Sequence, residues 1–376
     1  MADKKISRPF RADQVGSYLR PDELMLARQA NAEGKLADKE LHALEDKLIT
    51  ELVKRQEDCG MPVVTDGEFR RQSWNKDFLG GFDNVVEQPG NLKLYHRLPD
   101  GTNSTNQITG WAVTGKFKRS HPIQVDSFNF LKKIAHVTPK TCITSPTLLH
   151  FRGGREAIDK KTYPEMSQFF DDVAAAYREE IKELYAAGCR YLQLDDTNFA
   201  YLCDTRFRNA VQEMGEDPTK LVDTYVKLVN DSLRDKPADM LSAIHLCRGN
   251  SSTAGAASGG YEVVGPQMFP KLNVDAFFLE YDDARAGGFT ALKDVPNGKT
   301  VVLGLITTKR AELEKKDELK RRIDEASKVV PLENLCLSPQ CGFASGASMR
   351  KRISIDDEFA KVKLLTETAK EVWGSM

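Results

Sequence analysis

The chain lacks an excess of charge of either sign. Its 376 residues include 54 Lys and Arg against 55 Asp and Glu, which gives a formal net charge of −1. A protein that binds nucleic acid or an anionic membrane needs a concentrated positive field. The basic cluster at 320–322 stands among acidic residues, as is typical of a solvated helix face. We therefore expect no nucleic-acid partner.

Long apolar runs are also missing. No run of 18 apolar residues occurs, so the sequence predicts no membrane-spanning helix. The first ten residues, MADKKISRPF, contain no apolar segment of the kind found in secretory signals. We expect a cytoplasmic protein with no membrane partner.

Disulfide bonds are not expected either. The seven cysteines are odd in number and scattered along the chain, and a cytoplasmic protein of this size does not keep disulfide bonds. The contexts of four of them are typical of small buried hydrophobic residues, namely Cys59, Cys142, Cys189 and Cys336. The role of Cys203 is left open.

Short apolar segments that favour strands recur along the chain, and helical patterns separate most of them. The segments are 11–17, 62–68, 140–149, 189–196, 240–247, 274–282, 299–307 and 333–342. Such alternation predicts a parallel sheet, because parallel neighbours need a crossover connection. Eight units favour an α/β fold of the (β/α)8 TIM barrel type over a doubly wound sheet. No G-x-G-x-x-G follows a strand, which counts against a dinucleotide-binding fold. We expect one barrel domain over residues 1–376.

Residues 83–130 break this alternation. They combine turn residues with alternating apolar positions and show no clear helix. We predict a β-hairpin insertion after the second strand, near the barrel mouth, which is either a lid or a structural decoration. The Gly- and Ser-rich segment 249–260 is too flexible for the core, and we expect it to move over a ligand.

His245 and Cys247 close the fifth apolar run, in LSAIHLCRGN (241–250). Residues i and i+2 of a strand point to the same side, and barrels of this kind carry their chemistry at the carboxyl ends of the strands. A His-x-Cys pair alone is more often a buried histidine beside an unremarkable cysteine. Glu280 closes the sixth run, however, and Cys341 closes the eighth. An imidazole, two thiols and a carboxylate at one rim suit Zn²⁺ in tetrahedral coordination.

The rest of the predicted rim is polar. Ser17 follows the first run, Glu68 ends the second, and Asp195 and Asp196 end the fourth. An acid directly after a strand is often a helix N-cap, which explains one of the two aspartates but not Glu68. Carboxylates around one mouth suit a substrate that carries an ammonium group.

Six motifs, in this order, carry a resemblance to a known family. They are VGSYLRP (15–21), TDGEFRR (65–71), LQLDD (192–196), IHLC (244–247), FFLEYDDARAG (277–287) and SPQCGF (338–343). Together they resemble the catalytic C-terminal domain of cobalamin-independent methionine synthase. The likeness is greatest to the short, single-barrel members of that family, and it runs from about residue 10 to the C-terminus.

The resemblance implies a zinc-dependent transfer of a methyl group to the thiol of homocysteine, which yields methionine. The family's metal ligands match His245, Cys247, Glu280 and Cys341. Its homocysteine contacts match the backbone around Val15, the hydroxyl of Ser17 and the carboxylates of Glu68 and Asp195, with Asp196 beside them. A free thiol has a pKa near ~8.5 and only the thiolate is a good nucleophile, so a zinc-bound thiolate is the implied reactive species. We expect Glu280 to be the ligand that yields to the substrate sulfur.

The departures from the family concern the methyl donor. The larger members have a second, N-terminal barrel and a histidine after the seventh strand, where this chain has Thr307 and Thr308. The tryptophan that stacks on the folate ring has no clear counterpart near residues 145–154. These departures count against methyltetrahydrofolate as the donor. A simpler methyl compound, or a methylated corrinoid carried by a partner protein, would need less of the missing apparatus, and the identity of the donor is left open. His150 is a candidate for handling the proton of the leaving group.

Three alternative functions fit the sequence less well than methionine synthesis. Alkyl transfer to another thiol, as in epoxyalkane:coenzyme M transferases, would need cations where Glu68 and Asp195 stand, because that acceptor carries a sulfonate. A metal-storage protein is disfavoured because all four ligands of the catalytic set are present, and a decarboxylase of the uroporphyrinogen type needs no zinc. The oligomeric state is open, with a homodimer as one candidate.

Overall fold

The computed structural model describes residues 10–97, 103–249, 256–344 and 353–375. The strands are β1 Val63–Val64, β2 Asp83–Arg97, β3 Asn103–Lys118, β4 Thr138–Pro139, β5 Thr141–Thr144, β6 Tyr191–Asp196, β7 Leu241–Leu246, β8 Ala276–Glu280, β9 Thr300–Ile306 and β10 Leu335–Pro339. The helices are α1 Asp22–Ala32, α2 Asp38–Asp58, α3 Lys76–Leu79, α4 Val125–Ile134, α5 Leu148–Phe151, α6 Met166–Ala186, α7 Asn198–Tyr201, α8 Thr205–Glu213, α9 Pro218–Leu233, α10 Gly265–Met268, α11 Lys316–Ser327 and α12 Ile355–Trp373. Within these ranges no helix combines the length and the apolar character that a membrane crossing requires.

Six parallel strands form one sheet in the order β5, β6, β7, β8, β9, β10. Ala12 makes a parallel bridge to Leu337 of β10, so the first predicted segment continues the sheet beyond β10. At the other edge, β1 pairs in parallel with β4, which leads into β5 after one residue.

Hydrogen bonds join the first segment to β1. Gln14 Nε2 donates to the carbonyl oxygen of Val63 (3.1 Å), and Thr65 Oγ1 donates to that of Gly16 (2.5 Å). The eight predicted segments thus lie side by side in sequence order. The predicted α/β fold of the (β/α)8 type is confirmed.

The strands are buried on both faces, because helices cover the outside and side chains fill the interior. All six residues of β6 and all six of β7 are buried. The covering helices are amphipathic, and α6 turns Val173, Tyr177 and Ile181 toward the sheet side. Helix α9 begins cleanly at Pro218, since the Asp217 carboxylate accepts the backbone N–H of Thr219 at 2.9 Å.

A buried ion pair fills the barrel interior below the carboxyl ends of the strands. Lys140 Nζ lies 3.0 Å from Asp13 Oδ1, and the Tyr191 hydroxyl donates to the other oxygen of Asp13 at 2.5 Å. All three side chains are almost inaccessible to solvent. The interior is therefore closed here, and the open space of the barrel lies at the carboxyl ends.

Strands β2 and β3 form the predicted antiparallel hairpin, from Asp83 paired with Lys118 outward. The hairpin packs on the barrel mouth, where the backbone N–H of Phe117 donates to the Tyr163 hydroxyl at 2.8 Å. It ends at Lys118, however, and residues 125–130 belong to helix α4, so the prediction of no helix throughout 83–130 is wrong at that end. A lysine-rich last turn and an apolar face, with Phe128 and Leu131 buried, stabilise this helix. In the predicted mobile segment 249–260, residues 250–255 lie outside the described residues.

Candidate active site

The structure brings four side chains from three strand ends together at the barrel mouth. His245 is in β7 and Cys247 follows it, Glu280 is the last residue of β8, and Cys341 follows β10. One ligand atom from each residue lies within 4.8 Å of those of the other three. The sulfur atoms of Cys247 and Cys341 are 3.5 Å apart.

Hydrogen bonds from three backbone N–H groups hold this arrangement. The N–H of Cys247 donates to the carbonyl oxygen of Asp196 in β6 (2.7 Å), which extends the ladder one residue past β7. The N–H of Glu280 donates to the Tyr261 hydroxyl (3.1 Å). The N–H of Arg248 donates to Glu280 Oε1 (3.0 Å), which orients that carboxylate. The four side chains are thus preorganised by the barrel itself.

The protonation chemistry of the cluster suits a divalent cation. Burial, and then the positive charge of Lys140, lowers the pKa of His245 to about 3, so its ring is neutral near pH 7. Neither ring nitrogen of His245 has a hydrogen-bond partner of normal geometry among the described residues. Burial raises the pKa of Glu280, and the pKa of Cys247 is raised by its hydrogen bond to Cys341 and by burial. A cation would supply the missing positive charge, and two sulfurs, one nitrogen and one oxygen suit Zn²⁺.

A second group of acidic side chains lies in the same mouth. Ligand atoms of Glu68, Asp195 and Cys142 lie within 4.8 Å of one another, and Arg71 forms an ion pair with Glu68. Burial raises the pKa of Glu68 to about 8, and the charge of Arg71 offsets this only in part. Burial also raises the pKa of Asp195, against the lowering effect of Arg71. Two close, buried carboxyl groups of this kind would gain from a bound cationic group.

The backbone at Glu68 has a conformation that non-glycine residues rarely adopt. Glu68 has φ of 59°, directly after Gly67 with φ of 64°. The buried Arg20 holds this turn, because its Nη2 donates to the carbonyl oxygens of Glu68 (2.6 Å) and Arg71 (3.1 Å). Strain of this type is common at binding and catalytic sites. Here the turn directs the carboxylate of Glu68 toward Asp195.

The remaining predicted substrate contacts occupy less open positions. Asp196 accepts the backbone N–H groups of Asn198 (2.7 Å) and Phe199 (3.0 Å), and so it caps helix α7. The carbonyl oxygen of Val15 accepts from Gln193 Nε2 (2.7 Å), and the Ser17 hydroxyl accepts a long hydrogen bond from the N–H of Ala344 (3.3 Å). All three residues nevertheless line the cavity.

One cavity of about 320 Å³ connects the two groups. Its lining includes Glu68 and Asp195 of one group and His245, Cys247 and Cys341 of the other, but not Glu280. Residues Gln107 to Thr109 of the hairpin form part of the wall. The hairpin therefore contributes directly to the candidate site.

Sequence reasoning missed several residues of this cavity. Arg71 stands in the TDGEFRR motif, but the sequence predicts no role for it, and the context of Cys142 predicts only a buried hydrophobic residue. Trp74 and Arg152 also line the cavity, although neither stood out in the sequence. The motif position of Arg71, three residues after Glu68, was the one available signal.

His150 lies away from the cavity. Its Nδ1 is 3.0 Å from the Tyr225 hydroxyl, and its Nε2 is 3.3 Å from Glu216 Oε1. The side chain is buried, and its ring lies 5.5 Å from that of Phe170 in α6 and 6.1 Å from that of Tyr225 in α9. It is not positioned to handle a proton in the cavity, so that interpretation is wrong. Cys203, left open above, is buried with its thiol near the carbonyl oxygen of Phe199.

Comparison with known proteins gives a consistent result. The family described as "Cobalamin-independent synthase, Catalytic domain" matches residues 10–370. Protein YxjH of Bacillus subtilis (strain 168), described as uncharacterized, is 42% identical over 375 residues, which cover 99% of this chain and 97% of that protein. The methionine synthase of Saccharolobus solfataricus is 23% identical over 329 residues, or 87% of this chain and 86% of its own.

Solved structures agree with these relatives. The crystal structure of a candidate vitamin-B12 independent methionine synthase from Listeria monocytogenes has a TM-score of 0.78 and 35% identity, covering 97% of this chain and 98% of that one. A B12-independent methionine synthase from Shewanella sp. W3-18-1, solved with selenomethionine, shares the fold at a TM-score of 0.71 and 20% identity, with 97% and 98% coverage. The chain therefore belongs to the cobalamin-independent synthase family, a family of methionine synthase-like methyltransferases, and carries its catalytic domain.

Proposed function

We propose that this protein is a zinc-dependent methyltransferase that methylates the thiol of homocysteine to give methionine. The observation that carries the proposal is one cavity with a metal-ligand set at one side and a pair of carboxyl groups at another. The ligand atoms of His245, Cys247, Glu280 and Cys341 lie within 4.8 Å of one another. Homocysteine has a thiol and an ammonium group, and the two halves of the cavity match these two groups in chemistry.

The proposed roles follow from the charges. His245, Cys247, Glu280 and Cys341 would hold a zinc ion, whose positive charge would lower the pKa of a substrate thiol and keep its sulfur nucleophilic. Glu68 and Asp195 bind the ammonium group, which favours their ionised forms despite burial. Ser17 and the backbone at Val15 line the same part of the cavity and fix the amino-acid moiety, beside Asp196.

The reaction balances without an oxidant or a reductant. The carbon–sulfur bond of methionine forms while the bond between the methyl group and the donor breaks. The electron pair of that bond leaves with the donor, and the proton of the homocysteine thiol ends on the leaving group or in solvent. The residues of this chain orient the acceptor and exclude water, which gives the effective concentration that a bimolecular transfer needs.

Turnover with a panel of donors tests the proposal. Zinc-loaded protein is incubated with homocysteine and methyltetrahydrofolate, methylcobalamin or S-methylmethionine, and methionine is measured. We expect the wild-type protein to form methionine from at least one donor. C247S and C341S should lose zinc, and their activity should fall by more than ~1,000-fold. C59S is the matched control, because Cys59 is half-buried and outside the cluster. Absence of methionine with every donor would contradict the proposal.

A second candidate acceptor is a thiol that carries an anion, as in alkyl transfer to coenzyme M. The observation in its favour is Arg71, a cation at the cavity wall. Its charge is already engaged by Glu68, however, so homocysteine remains the favoured acceptor. Competition between homocysteine and 2-mercaptoethanesulfonate for zinc-loaded protein decides between them, and a tighter Kd for the sulfonate would favour the second candidate.

A further inference from the structure

Arg152 is a buried cation without a counter-ion among the described residues. It follows helix α5, its residue exposure is 6%, and it lines the cavity. Its guanidinium forms one hydrogen bond in the described part of the chain, from Nη1 to the carbonyl oxygen of Thr109 (2.8 Å), while Nε has no partner. Burial lowers the pKa of Arg152 to about 10, so the side chain is still charged near pH 7.

The hairpin is fitted closely around Arg152. The N–H of Asn91 donates to the carbonyl oxygen of Arg152 (2.8 Å). Gly90 and Gly110 lie opposite each other at this point, and a Cβ on Gly90 would stand 3.3 Å from that same carbonyl oxygen. The absence of side chains at both glycines lets the hairpin backbone reach Arg152. Residues Gln107 to Thr109, which precede Gly110 on β3, line the cavity.

An aromatic ring completes the surroundings of the guanidinium. Arg152 lies over the ring of Trp74, 5.4 Å from its centre. This contact and the single hydrogen bond to Thr109 leave part of the donor capacity of the guanidinium unused. A buried charge is strongly unfavourable unless a partner of opposite charge reaches it. The site therefore has the character of a receptor for an anionic oxygen group.

Tyr201 relates this receptor to the metal-ligand cluster. Burial raises the pKa of Tyr201 well above its usual value, the charge of Arg152 opposes that rise, and the charges of Cys247, Glu280 and Cys341 add to it. The Tyr201 ring lies 6.1 Å from the ring of Phe151, the residue before Arg152, and a Cβ on Gly249, two residues after Cys247, would stand 2.6 Å from the Tyr201 hydroxyl. A molecule that reaches from the cluster past Tyr201 would meet Arg152 under the hairpin.

We propose that Arg152 and Trp74, together with the hairpin wall at 107–109, form a subsite for an anionic oxygen group of the methyl donor, a carboxylate or a phosphate. The inference rests on the proposed function. One cavity then contains anionic side chains that bind the cationic end of the acceptor and a cationic side chain that binds the anionic end of the donor. Glu68 and Asp195 take the ammonium of the acceptor, and Arg152 takes the anion of the donor. The donor is accordingly a compound with a free anionic group.

Binding without turnover tests the subsite. Zinc-loaded wild-type protein, R152K and R152M are titrated calorimetrically with methyltetrahydrofolate monoglutamate, in the absence of homocysteine and with inorganic phosphate as a competitor. We expect R152M to weaken binding of the folate more than tenfold and to reduce its dependence on salt, with R152K in between because lysine lacks the planar fork. If phosphate competes with the folate in the wild type but not in R152M, the subsite is assigned to a phosphate group. If phosphate does not compete in the wild type, the subsite is assigned to a carboxylate.

N91A is the matched control for hairpin seating. Asn91 Nδ2 donates to the carbonyl oxygen of Gly153 (3.1 Å), so this variant loosens the hairpin beside Arg152 without removing a charge. If N91A weakened the folate as much as R152M, or if R152M bound it like wild type, the subsite would be refuted. A loss of methionine affinity in R152M would also refute it, by moving Arg152 to the acceptor. Failure of methionine formation with Arg152-dependent folate binding would instead overturn the proposed function and leave the subsite standing.

Discussion

Binding of methionine should depend steeply on pH through Glu68. Methionine carries the ammonium group of the proposed product but has no thiol, so its binding reports the carboxyl groups without thiol ionisation. Burial raises the pKa of Glu68 to about 8, and the ammonium group favours the ionised carboxylate. Affinity should therefore be lost as the pH falls below the pKa of Glu68.

The size of the effect follows from the fraction of ionised Glu68. With a pKa of about 8, about 50% of the protein carries the carboxylate at pH 8 and about 1% at pH 6. The apparent Kd for methionine should then rise by ~50-fold between pH 8 and pH 6, because only the ionised fraction is competent to bind. The ammonium group of methionine stays charged over this range, so it does not add to the pH dependence of the apparent Kd.

Glu68→Gln removes the ionisation while it keeps the shape of the side chain. We expect the methionine affinity of E68Q to be nearly constant from pH 6 to pH 8, and to be weaker than wild type at pH 8 by ~10-fold or more, the worth of a buried charge-assisted hydrogen bond. Calorimetric titration at four pH values measures both quantities. E216Q, at a carboxylate outside the cavity lining, should keep the wild-type profile. A flat profile in the wild type, or an unchanged slope in E68Q, would refute the reasoning.

Three further predictions concern the metal, the turn at Glu68 and the barrel interior. Zinc binding should release protons, and the zinc affinity, measured by competition with a chelator, should increase by ~10-fold or more per pH unit between pH 6 and pH 8. The reason is that the pKa values of Cys247 and Glu280 are raised, so these ligands must be deprotonated before they bind the metal. A zinc affinity that does not depend on pH would contradict this prediction. Gly67→Ala should lower the free energy of unfolding in urea by ~2–4 kcal/mol. The Cβ of an alanine would lie 2.2 Å from Leu52 Cδ2, and the φ of 64° is unfavourable for a non-glycine residue. A change below ~0.5 kcal/mol would show that the turn accommodates the alanine. Lys140→Met should lower the free energy of unfolding by ~3–5 kcal/mol, because it leaves the charge of Asp13 buried without its cation. The double variant D13N/K140M should recover part of that loss in the same urea assay. No recovery would mean that the charge of Asp13 is not the cause.

The barrel and the metal-ligand cluster were accessible from the sequence for the same reason. Strands buried on both faces leave short apolar runs, and the carboxyl ends of parallel strands meet at one rim. His245, Cys247, Glu280 and Cys341 each stand at the end of such a run. Their mutual approach is therefore a consequence of strand register, which the pattern of the chain already contains.

The rest of the cavity depends on contacts that no local pattern encodes. The position of Arg152 at the cavity depends on the hairpin, whose strand β3 is about forty residues away in the sequence. Thr109 accepts a hydrogen bond from Arg152, and Gly90 and Gly110 let the hairpin approach the Arg152 backbone closely. His150 is two residues away from Arg152 and points elsewhere, because one short helical turn decides the direction of each side chain. Cys142 gains its acidic neighbours from β6 and from the turn at Glu68. Long-range packing, and not residue type, determines these positions.

X-ray absorption at the zinc edge tests the central claim most directly, since it counts the sulfur atoms around the ion. For the zinc-loaded protein the account predicts one zinc per chain with two sulfur neighbours and two nitrogen or oxygen neighbours, from His245, Cys247, Glu280 and Cys341. Added homocysteine should raise the count to three sulfurs at the expense of one light atom. A protein that holds no zinc, or a sulfur count that stays at two under saturating homocysteine, would contradict it.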